Sequence, residues 1–479
     1  MRHRQLLTFL VAVVLSVGLV GCEDFLSIDP EQSIDSGQAF ASQDAAETAL
    51  SGMYDGLIQD GTYAGFFVPM ADFTAQNANF GGSFTTWQQA QSFNLIATHG
   101  PSEQMWQDFY DTINRANNVI ARTPGVEDAD DAFVTRAVNE AKFVRALAHF
   151  NLVRSYARPY NVVNTSNVPG TDPDRQPGVP VITDPTEGPG DKLEVPRVSV
   201  ADVYDQIVSD LQDARDNLSA AESGGQVRAT ADAATALLAK VRLYQGRFAD
   251  ARDLAEEVIN SGAFSLAGPA TIAEQQGESP ESIFSVSMSA ISNGNDPVNN
   301  HPSSFYTPGP LGGRGDITVT SDLVQTIQGG PGGDGDLRGP GGIMYEFDGA
   351  LWTAKWDSPN QEDDAMVLRL SEMYLIAAEG HARTTGSGGS EAQAQKYVNA
   401  VRSKSGAEGI SSSGQDLIDD IIRERRIELA FEGDRRHDVL RLGRTLESNT
   451  GAAPQTQRIF PIPAREIDEN DELTQNPGY

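Results

Sequence analysis

Residues 421–443 constrain the fold of this chain most, because they combine an apolar stripe with an unusual density of charge. Apolar side chains at positions 418, 421, 422 and 429 recur at helical spacing and define one buried face. Three acids recur every four residues: Glu424, Glu428 and Glu432. Four arginines stand three or four positions from these acids, within reach of ion pairs on a helix: Arg425, Arg426, Arg435 and Arg436. Gly433 interrupts the pattern before a second short helix, predicted over 435–441. We interpret the stretch as structural ion-pair helices that lock the C-terminal part in place; a catalytic carboxylate pair is the alternative.

Paired helical patterns recur along the chain and predict a mainly α fold. In each pair, small residues stand where two helices would cross, and in one of them Phe248 follows a tight turn at Gly246. The pairs cover 230–245 with 248–261, 369–386 with 391–403 and, more loosely, 104–122 with 132–157. They are similar to the helical hairpins of tetratricopeptide repeats, which stack into curved scaffolds. We therefore predict several such hairpins, distributed along the chain rather than in tandem.

Two stretches between the helical patterns are rich in Gly, Asn and Pro and also carry many aromatic residues. The first, 61–100, is predicted to be a polar loop. The second is a long loop-rich insertion over 263–364 with short strands, one of them predicted over 281–288. Long loops in a compact protein are usually functional or disordered. The aromatic rings have two interpretations, which the residues leave open: they fill the core between helices, or they line a ligand surface.

The charge balance excludes one class of function. The chain has 67 acidic and 35 basic residues and a net charge of −32, so we expect no nucleic-acid partner, because phosphate contacts need a basic face. A surplus of acids with few lysines also suits a protein that stays soluble in high salt, where self-repulsion is screened.

The N-terminus reads as a targeting segment. A basic head is followed by an apolar run over 6–20, which is too short to span a bilayer. The sequence Leu19-Val20-Gly21-Cys22 ends this run and resembles a bacterial lipoprotein cleavage box. We therefore predict a signal peptide over 1–21 and a lipidated Cys22; an uncleaved membrane segment or ordinary secretion is the alternative. The acids Glu23 and Asp24 resemble the signal that sends such lipoproteins to the cell surface.

The residues offer no sign of an enzyme. Nucleophile elbows, zinc-binding HExxH pairs, phosphate loops and dinucleotide fingerprints are absent from the sequence. The six histidines are scattered without metal-ligand spacing, and the only cysteine is Cys22. Asp334 and Asp336 hint at a calcium loop but lack its remaining ligands. We expect binding rather than catalysis, with no cofactor and no metal site.

The C-terminal residues carry the most specific resemblance. The segments 423–433, 459–463 and 474–479, together with Arg435, Asp438 and Arg441, look like the signature helix and closing segment of the SusD/RagB family. Residues 370–379 and 399–402 are similar to the late repeat of that family, 143–156 and 230–246 to its earlier helices, and 52–56 to its first helix. Arg436 and His437 depart from the pattern, since many relatives carry an aromatic and an apolar residue at these two positions.

The resemblance implies a SusD-like α-helical fold and a nutrient-binding lipoprotein on the surface of the outer membrane. Its partner would be a SusC-like TonB-dependent transporter, over which it closes as a lid. Its ligand would be a polysaccharide or oligosaccharide, while a RagB-like branch handles peptides instead, and a helical-repeat scaffold at the cell surface remains a further alternative. The expected organisation is an N-terminal SusD-like region over 22–262 and a C-terminal region over 263–479, with the insertion 263–364 and C-terminal helices over 365–479.

The predicted ligand residues come from the loops at 77–93 and 293–314, where members of the family build their ligand face. Aromatic rings stack on the C–H faces of sugars, and amide and guanidinium groups bond the hydroxyls. On these grounds the candidates are Asn79, Phe84, Trp87, Tyr306 and Arg314.

Overall fold

The structure is a computed structural model that describes residues 36–161, 172–186, 194–220, 225–288 and 301–479. The predicted signal peptide and Cys22 lie outside these ranges, as do the first residues of the predicted loop at 293–314. Within the described part of the chain, no helix is both long and apolar enough to cross a membrane.

A row of stacked helices forms the body of the molecule. Its members in chain order are α5 (Gly100–Arg122), α6 (Asp131–Tyr156), α7 (Val200–Asn217), α8 (Ala231–Tyr244), α9 (Phe248–Ser261), α13 (Leu370–Arg383) and α14 (Glu391–Lys404). Each packs on the next, and α13 packs directly on α9 although 108 residues separate them. The three predicted hairpins are confirmed, and they form one continuous row in space.

Local sequence explains where these helices begin and turn. Ser199 and Asp202 form a reciprocal capping box at the start of α7. Thr230 caps α8 through a hydrogen bond from the Ala233 N–H group. Gly246 adopts a φ of 73° between α8 and α9, a left-handed conformation that glycine takes without strain. The chain therefore reverses within three residues, which keeps the two helices in contact.

Two separate helices begin the described part of the chain. The structure has α1 (Ser36–Ala39) and α2 (Gln43–Tyr54), separated at Ser42. The Ser42 side chain accepts a hydrogen bond from the Ala45 N–H group, so it begins a new helix instead of continuing the first. A 3₁₀ turn over Asp55–Ile58 follows α2.

The stretch 61–100 is not the open loop that its composition predicts. It contains α3 (Phe67–Phe73), β1 (Ala78–Phe80) and α4 (Thr85–Gln91). Phe67 and Phe73 are buried in the main core. Burial of these rings outweighs the weak helical propensity of the surrounding Gly, Asn and Thr residues.

The long insertion connects α9 to α13. It is rich in loops and contains short helices and short strands. Its helices are α10 (Pro269–Gln275), α11 (Pro302–Tyr306) and α12 (Ser321–Gln328). Its strands are β2 (Ser282–Val286), β3 (Ile317–Val319), β4 (Met344–Phe347), β5 (Ala350–Thr353) and β6 (Ala365–Arg369). They pair antiparallel as β1–β3, β2–β6 and β4–β5. The first of these pairs joins the insertion to the N-terminal part of the chain.

The C-terminal elements follow the row along the chain, and the first of them packs against α13 and α14. They are α15 (Gly414–Glu428), α16 (Arg435–Arg441), the hairpin of β7 (Glu447–Ser448) and β8 (Gly451–Ala452), and α17 (Ala464–Glu469). The predicted second helix over 435–441 is confirmed. The first helix, however, ends at Glu428, and Phe431 adopts a φ of 68°. Glu432 therefore lies in the turn between the helices rather than on the predicted acidic face.

The acids Glu424 and Glu428 are buried and form ion pairs, but their partners are not the arginines predicted from helical spacing. Arg338 and Arg402 pair with Glu424, while Arg369 and Lys404 pair with Glu428 at 2.6 and 2.7 Å. These cations come from the insertion and from the last hairpin of the row. The glutamates point inward, where only side chains from other elements can reach them, so the ion pairs connect elements instead of stabilising one helix.

One large hydrophobic core extends from Ala46 to Leu473 and includes residues from both predicted regions. The division of the chain at 262 stays a prediction.

Candidate ligand-binding surface

The structure brings together the two loops that were predicted to carry the ligand face. Strands β1 and β3 pair antiparallel, with Asn79 opposite Thr318 and Phe80 opposite Ile317. The Gly81 N–H group extends this ladder by donating to the Asp316 carbonyl at 2.7 Å. Residues more than 230 positions apart thereby share one surface.

Trp87 lies below this surface, in the core. Its indole is 3 % exposed, and its ring centroid stands 4.4 Å from Phe305, 5.2 Å from Phe80 and 5.3 Å from Phe73. The ring joins α4 to the insertion. This placement corresponds to the interpretation of the aromatic residues as core, and it leaves the indole no open face for a ligand.

Tyr306 is also buried, with 1 % of its surface exposed. Its hydroxyl donates to Asp72 Oδ2 at 2.9 Å, and its ring packs edge-on against Phe431. Asp72 accepts two further hydrogen bonds, from Asn77 Nδ2 and from the Phe431 N–H group, both at 3.2 Å. Burial raises the pKa of Asp72 to about 7. Tyr306 therefore holds the insertion in place instead of facing solvent.

Phe84, Arg314 and Asn79 remain at the surface, and with Asn449 they define what we term the Phe84 surface. The Arg314 guanidinium lies 4.2 Å from the centre of the half-buried Phe84 ring. Its Nε donates to Asp316 Oδ2 at 3.0 Å, which fixes the guanidinium over the ring. Asn449 Nδ2 donates to Asn79 Oδ1 across 370 residues of sequence. The surface thus presents a ring, a cation and paired amides.

The base of the Phe84 surface is rigid. Arg426 donates to the Gln76 carbonyl at 2.8 Å and to Asn77 Oδ1 at 3.1 Å, and it pairs with Asp322 at 2.6 Å. On the other side, the Gln91 amide accepts from the Phe80 N–H group at 2.7 Å and donates to the Phe80 carbonyl at 3.0 Å. The Gln91 side chain thus binds the free edge of β1 as a neighbouring strand would.

Several of these residues carried no usable signal in the sequence. Asn449 belongs to a short polar hairpin remote from both aromatic loops, and Gln91 is one of several glutamines in its helix. Arg426 stood out only as part of the charge-dense segment. Its contact with Gln76 shows that this segment supports one of the candidate ligand loops directly.

The structure does not support the hint of a calcium loop. Both carboxylate oxygens of Asp336 accept hydrogen bonds from Arg338, at 2.9 and 2.7 Å, while Asp334 points to solvent. Among the described residues, no group of three or more His, Cys, Asp or Glu side chains could hold a metal ion.

A row of helical hairpins that carries a loop-built surface defines a ligand-binding scaffold, and the comparisons with known proteins assign it to a family. The family model of the SusD family matches residues 348–457, and a model described as "Starch-binding associating with outer membrane" matches residues 24–243. The chain belongs to the SusD family.

The relatives cover the chain almost completely. It is 25 % identical over 528 residues to a SusD-like protein of Formosa agariphila, across 99 % of this chain and 98 % of the relative. A SusD superfamily protein from Bacteroides thetaiotaomicron is 25 % identical and superposes with a TM-score of 0.78 over 91 % of this chain and all of its own. A laminarin-binding SusD-like protein, also 25 % identical, superposes with a TM-score of 0.71 over 92 % of this chain and 100 % of its own.

Proposed function

We propose that this protein is a surface lipoprotein of the outer membrane that binds a polysaccharide or oligosaccharide and passes it to a SusC-like TonB-dependent transporter. The observation that carries the proposal is the Phe84 surface on a SusD-family scaffold. Membership of the family and the similarity to a laminarin-binding protein support a glycan as the ligand. The absence of recognisable catalytic motifs from the sequence supports binding without catalysis.

The chemistry of the Phe84 surface fits a saccharide. The C–H groups of a sugar ring can pack on the part of the half-buried Phe84 ring that Arg314 leaves uncovered. Arg314 can donate hydrogen bonds to hydroxyl groups, and the amides of Asn79 and Asn449 can donate and accept them. Because β1 and β3 are held from both sides, little order has to be gained on binding. The surface is open rather than enclosed, which suits a polymer that extends beyond its contacts.

Removal of the aromatic ring tests the ligand surface. We expect Phe84→Ala to weaken binding of laminarin or starch about tenfold, because the ring supplies most of the apolar contact area. Affinity gel electrophoresis and isothermal titration calorimetry measure the loss. The matched control is Phe248→Ala on α9, whose half-buried ring also has an arginine over it, at 5.0 Å, but lies in the helical row. Equal affinities for the two variants would exclude the Phe84 surface, and retention of short peptides without any glycan shift would favour a RagB-like peptide-binding protein.

The proposed lipid attachment has its own test. Several acyl chains on Cys22 would give stable membrane attachment, since each buried methylene contributes about 0.8 kcal/mol. We therefore expect Cys22→Ala to move the protein from the membrane fraction to the soluble fraction. Replacement of Glu23 and Asp24 by alanine is the control: that variant should stay in the membrane fraction but lose accessibility to protease added to intact cells. Retention of Cys22→Ala in the membrane would contradict lipidation.

The proposed transporter partner can be tested genetically and biochemically. A TonB-dependent barrel should be encoded next to this protein and should co-purify with it from detergent extracts. A genomic neighbourhood without such a barrel would remove the support for delivery to a transporter while leaving glycan binding untouched.

A further inference from the structure

A small cavity near the end of α16 has an unexpected charge. It has a volume of about 50 Å³ and is lined by Arg158, Arg444 and Arg458, with Leu440, Ile459 and Pro477 among its apolar walls. None of the described residues that line it is acidic. Acids outnumber bases by 67 to 35 in this chain, so a cavity lined by three arginines and no acidic residue departs from the charge balance of the whole chain.

Two of these arginines, Arg444 and Arg458, are less completely neutralised than the arginines of the core. Arg458 donates from Nη2 to Thr445 Oγ1 at 3.0 Å, while its buried Nε has no hydrogen-bond partner. Arg444 pairs with Asp419 at 3.2 Å, but both side chains are about half exposed, so water and salt screen that pair. By contrast, Arg369 and Arg338 in the core each contact two or more carboxylates.

Two further arginines extend the positive charge behind and beside the cavity. Arg436 is buried and donates to neutral acceptors, Thr74 Oγ1 and the Arg458 carbonyl. The buried Nε of Arg435 also has no hydrogen-bond partner, and burial together with the neighbouring Arg426 and Arg444 lowers the pKa of Arg435 to about 9. Fixed, incompletely paired guanidinium groups are the recognition elements that carboxylate and sulfate ligands need.

The β7–β8 hairpin leads from the Phe84 surface towards the cavity. The β7–β8 hairpin begins the connection at Asn449, which bonds Asn79, and the chain then reaches Gln455 at the rim of the cavity. Six residues span at most about 20 Å, so an oligosaccharide of several units can contact both places. The carboxylate of Glu447 faces Gln76, whose Nε2 donates to it at 3.0 Å, on the Phe84 side of the hairpin.

We propose that the cavity lined by Arg158, Arg444 and Arg458 binds the carboxylate or sulfate group of an acidic saccharide whose neutral part lies on the Phe84 surface. The volume suits one substituent rather than a whole sugar chain, and the apolar walls suit the C–H face of the ring that carries it. This inference rests on the proposed function and makes the ligand an anionic glycan.

Two pairs of probes test the inference by isothermal titration calorimetry: a hexagalacturonate with its fully methyl-esterified form, and a sulfated galactan tetrasaccharide with its desulfated form. At least one acidic probe should bind about tenfold more tightly than its neutral partner, and this difference should shrink in high salt. Arg458→Gln and Arg444→Gln should each remove most of the difference and leave binding of the neutral form unchanged. Arg465→Gln is the control, because it removes the same charge from a side chain that is 62 % exposed.

The outcomes separate this inference from the proposed function. Equal binding of acidic and neutral probes, or binding of neutral glycans alone, would overturn the anionic ligand and leave glycan binding intact. A preference for the acidic form that both arginine variants retain would overturn the cavity as its site. If no acidic probe, neutral probe, laminarin or starch binds, the proposed function itself fails. Thermal unfolding of each variant confirms that it is folded, and Arg444→Gln, at a half-exposed position, keeps the test valid if Arg458→Gln is unstable.

Discussion

We expect the substitution Arg369→Ala to lower the free energy of unfolding by about 3–5 kcal/mol, the range observed when one partner of a buried ion pair is removed. Arg369 is 1 % exposed. Its guanidinium contacts Glu281 at 3.0 Å, Glu428 at 2.6 Å and Glu432 at 2.8 Å. It also donates to the Glu428 carbonyl at 2.6 Å, just where α15 ends. Alanine would leave these carboxylates with fewer partners in a site that excludes water.

Urea titration at pH 7 measures this loss of stability. Two further variants serve as controls for exposure and for charge. Arg465→Ala breaks an exposed pair with Glu469 on α17 and should leave the free energy of unfolding unchanged within the error of the titration, because solvent screens that pair. Arg369→Lys keeps the charge but loses the forked geometry, so an intermediate loss is expected. If Arg369→Ala were as stable as Arg465→Ala, the buried network would not be what connects the C-terminal helices to the insertion.

The network also shows which parts of the fold local sequence can predict. Helices α9 and α16 were predicted to the residue or nearly so, because a helix depends on contacts at three- and four-residue spacing that the sequence displays directly. The partners of Glu424 and Glu428 were predicted wrongly by the same rule. Arg338 stands 86 residues from Glu424, and no local pattern distinguishes it from other arginines.

The composition of the sequence was sufficient to predict which loops form the candidate site, but not how their side chains are arranged. Its two loops were selected for their aromatic and amide content, and the β1–β3 pairing does bring them together. That pairing involves strands of only three residues, whose formation depends on a partner far along the chain. In the structure Trp87 and Tyr306 are buried, whereas Phe84 and Arg314 lie at the surface. The sequence could not distinguish these two groups, because all four residues have polar neighbours.

A second large effect is expected from pH, through Asp72. This carboxylate is fully buried and ties three elements together, because it accepts hydrogen bonds from Asn77, Tyr306 and the Phe431 N–H group. Burial raises the pKa of Asp72 to about 7, and the three hydrogen bonds to its carboxylate, followed by the charge of Lys355, partly oppose that rise. An unfolded aspartate has a pKa of about 3.9, so the folded state holds the proton more tightly.

The sign of the effect follows from that difference. The stability contributed by protonated Asp72 is fully present below about pH 4 and is lost as pH rises through about 7. Over roughly three pH units at about 1.4 kcal/mol each, the loss amounts to about 4 kcal/mol. Carboxylates with lowered pKa values act in the opposite direction and in another window: the arginines around Glu379 lower its pKa to about 2, so its contribution is lost only as pH falls below about 4.5.

Asp72→Asn isolates the contribution of Asp72. An asparagine keeps an acceptor for Asn77 and Phe431, and its amide can donate to the Tyr306 hydroxyl oxygen, so the variant should fold. We expect the difference in free energy of unfolding between Asp72→Asn and wild type to change by about 4 kcal/mol in favour of the variant between pH 4 and pH 8. The contributions of other titrating groups cancel in this difference when those groups do not interact with Asp72.

The control is Asp253→Asn, at a side chain that is 64 % exposed, which should follow the wild-type curve across the same range. Urea titrations at four or more pH values give the curves. Parallel curves for wild type and Asp72→Asn would mean that Asp72 is ionised in the folded protein at pH 5, and that its three hydrogen bonds outweigh the cost of burying its charge. A divergence that grows up to about pH 7 would show that ionisation of the buried Asp72 carboxyl destabilises the folded protein.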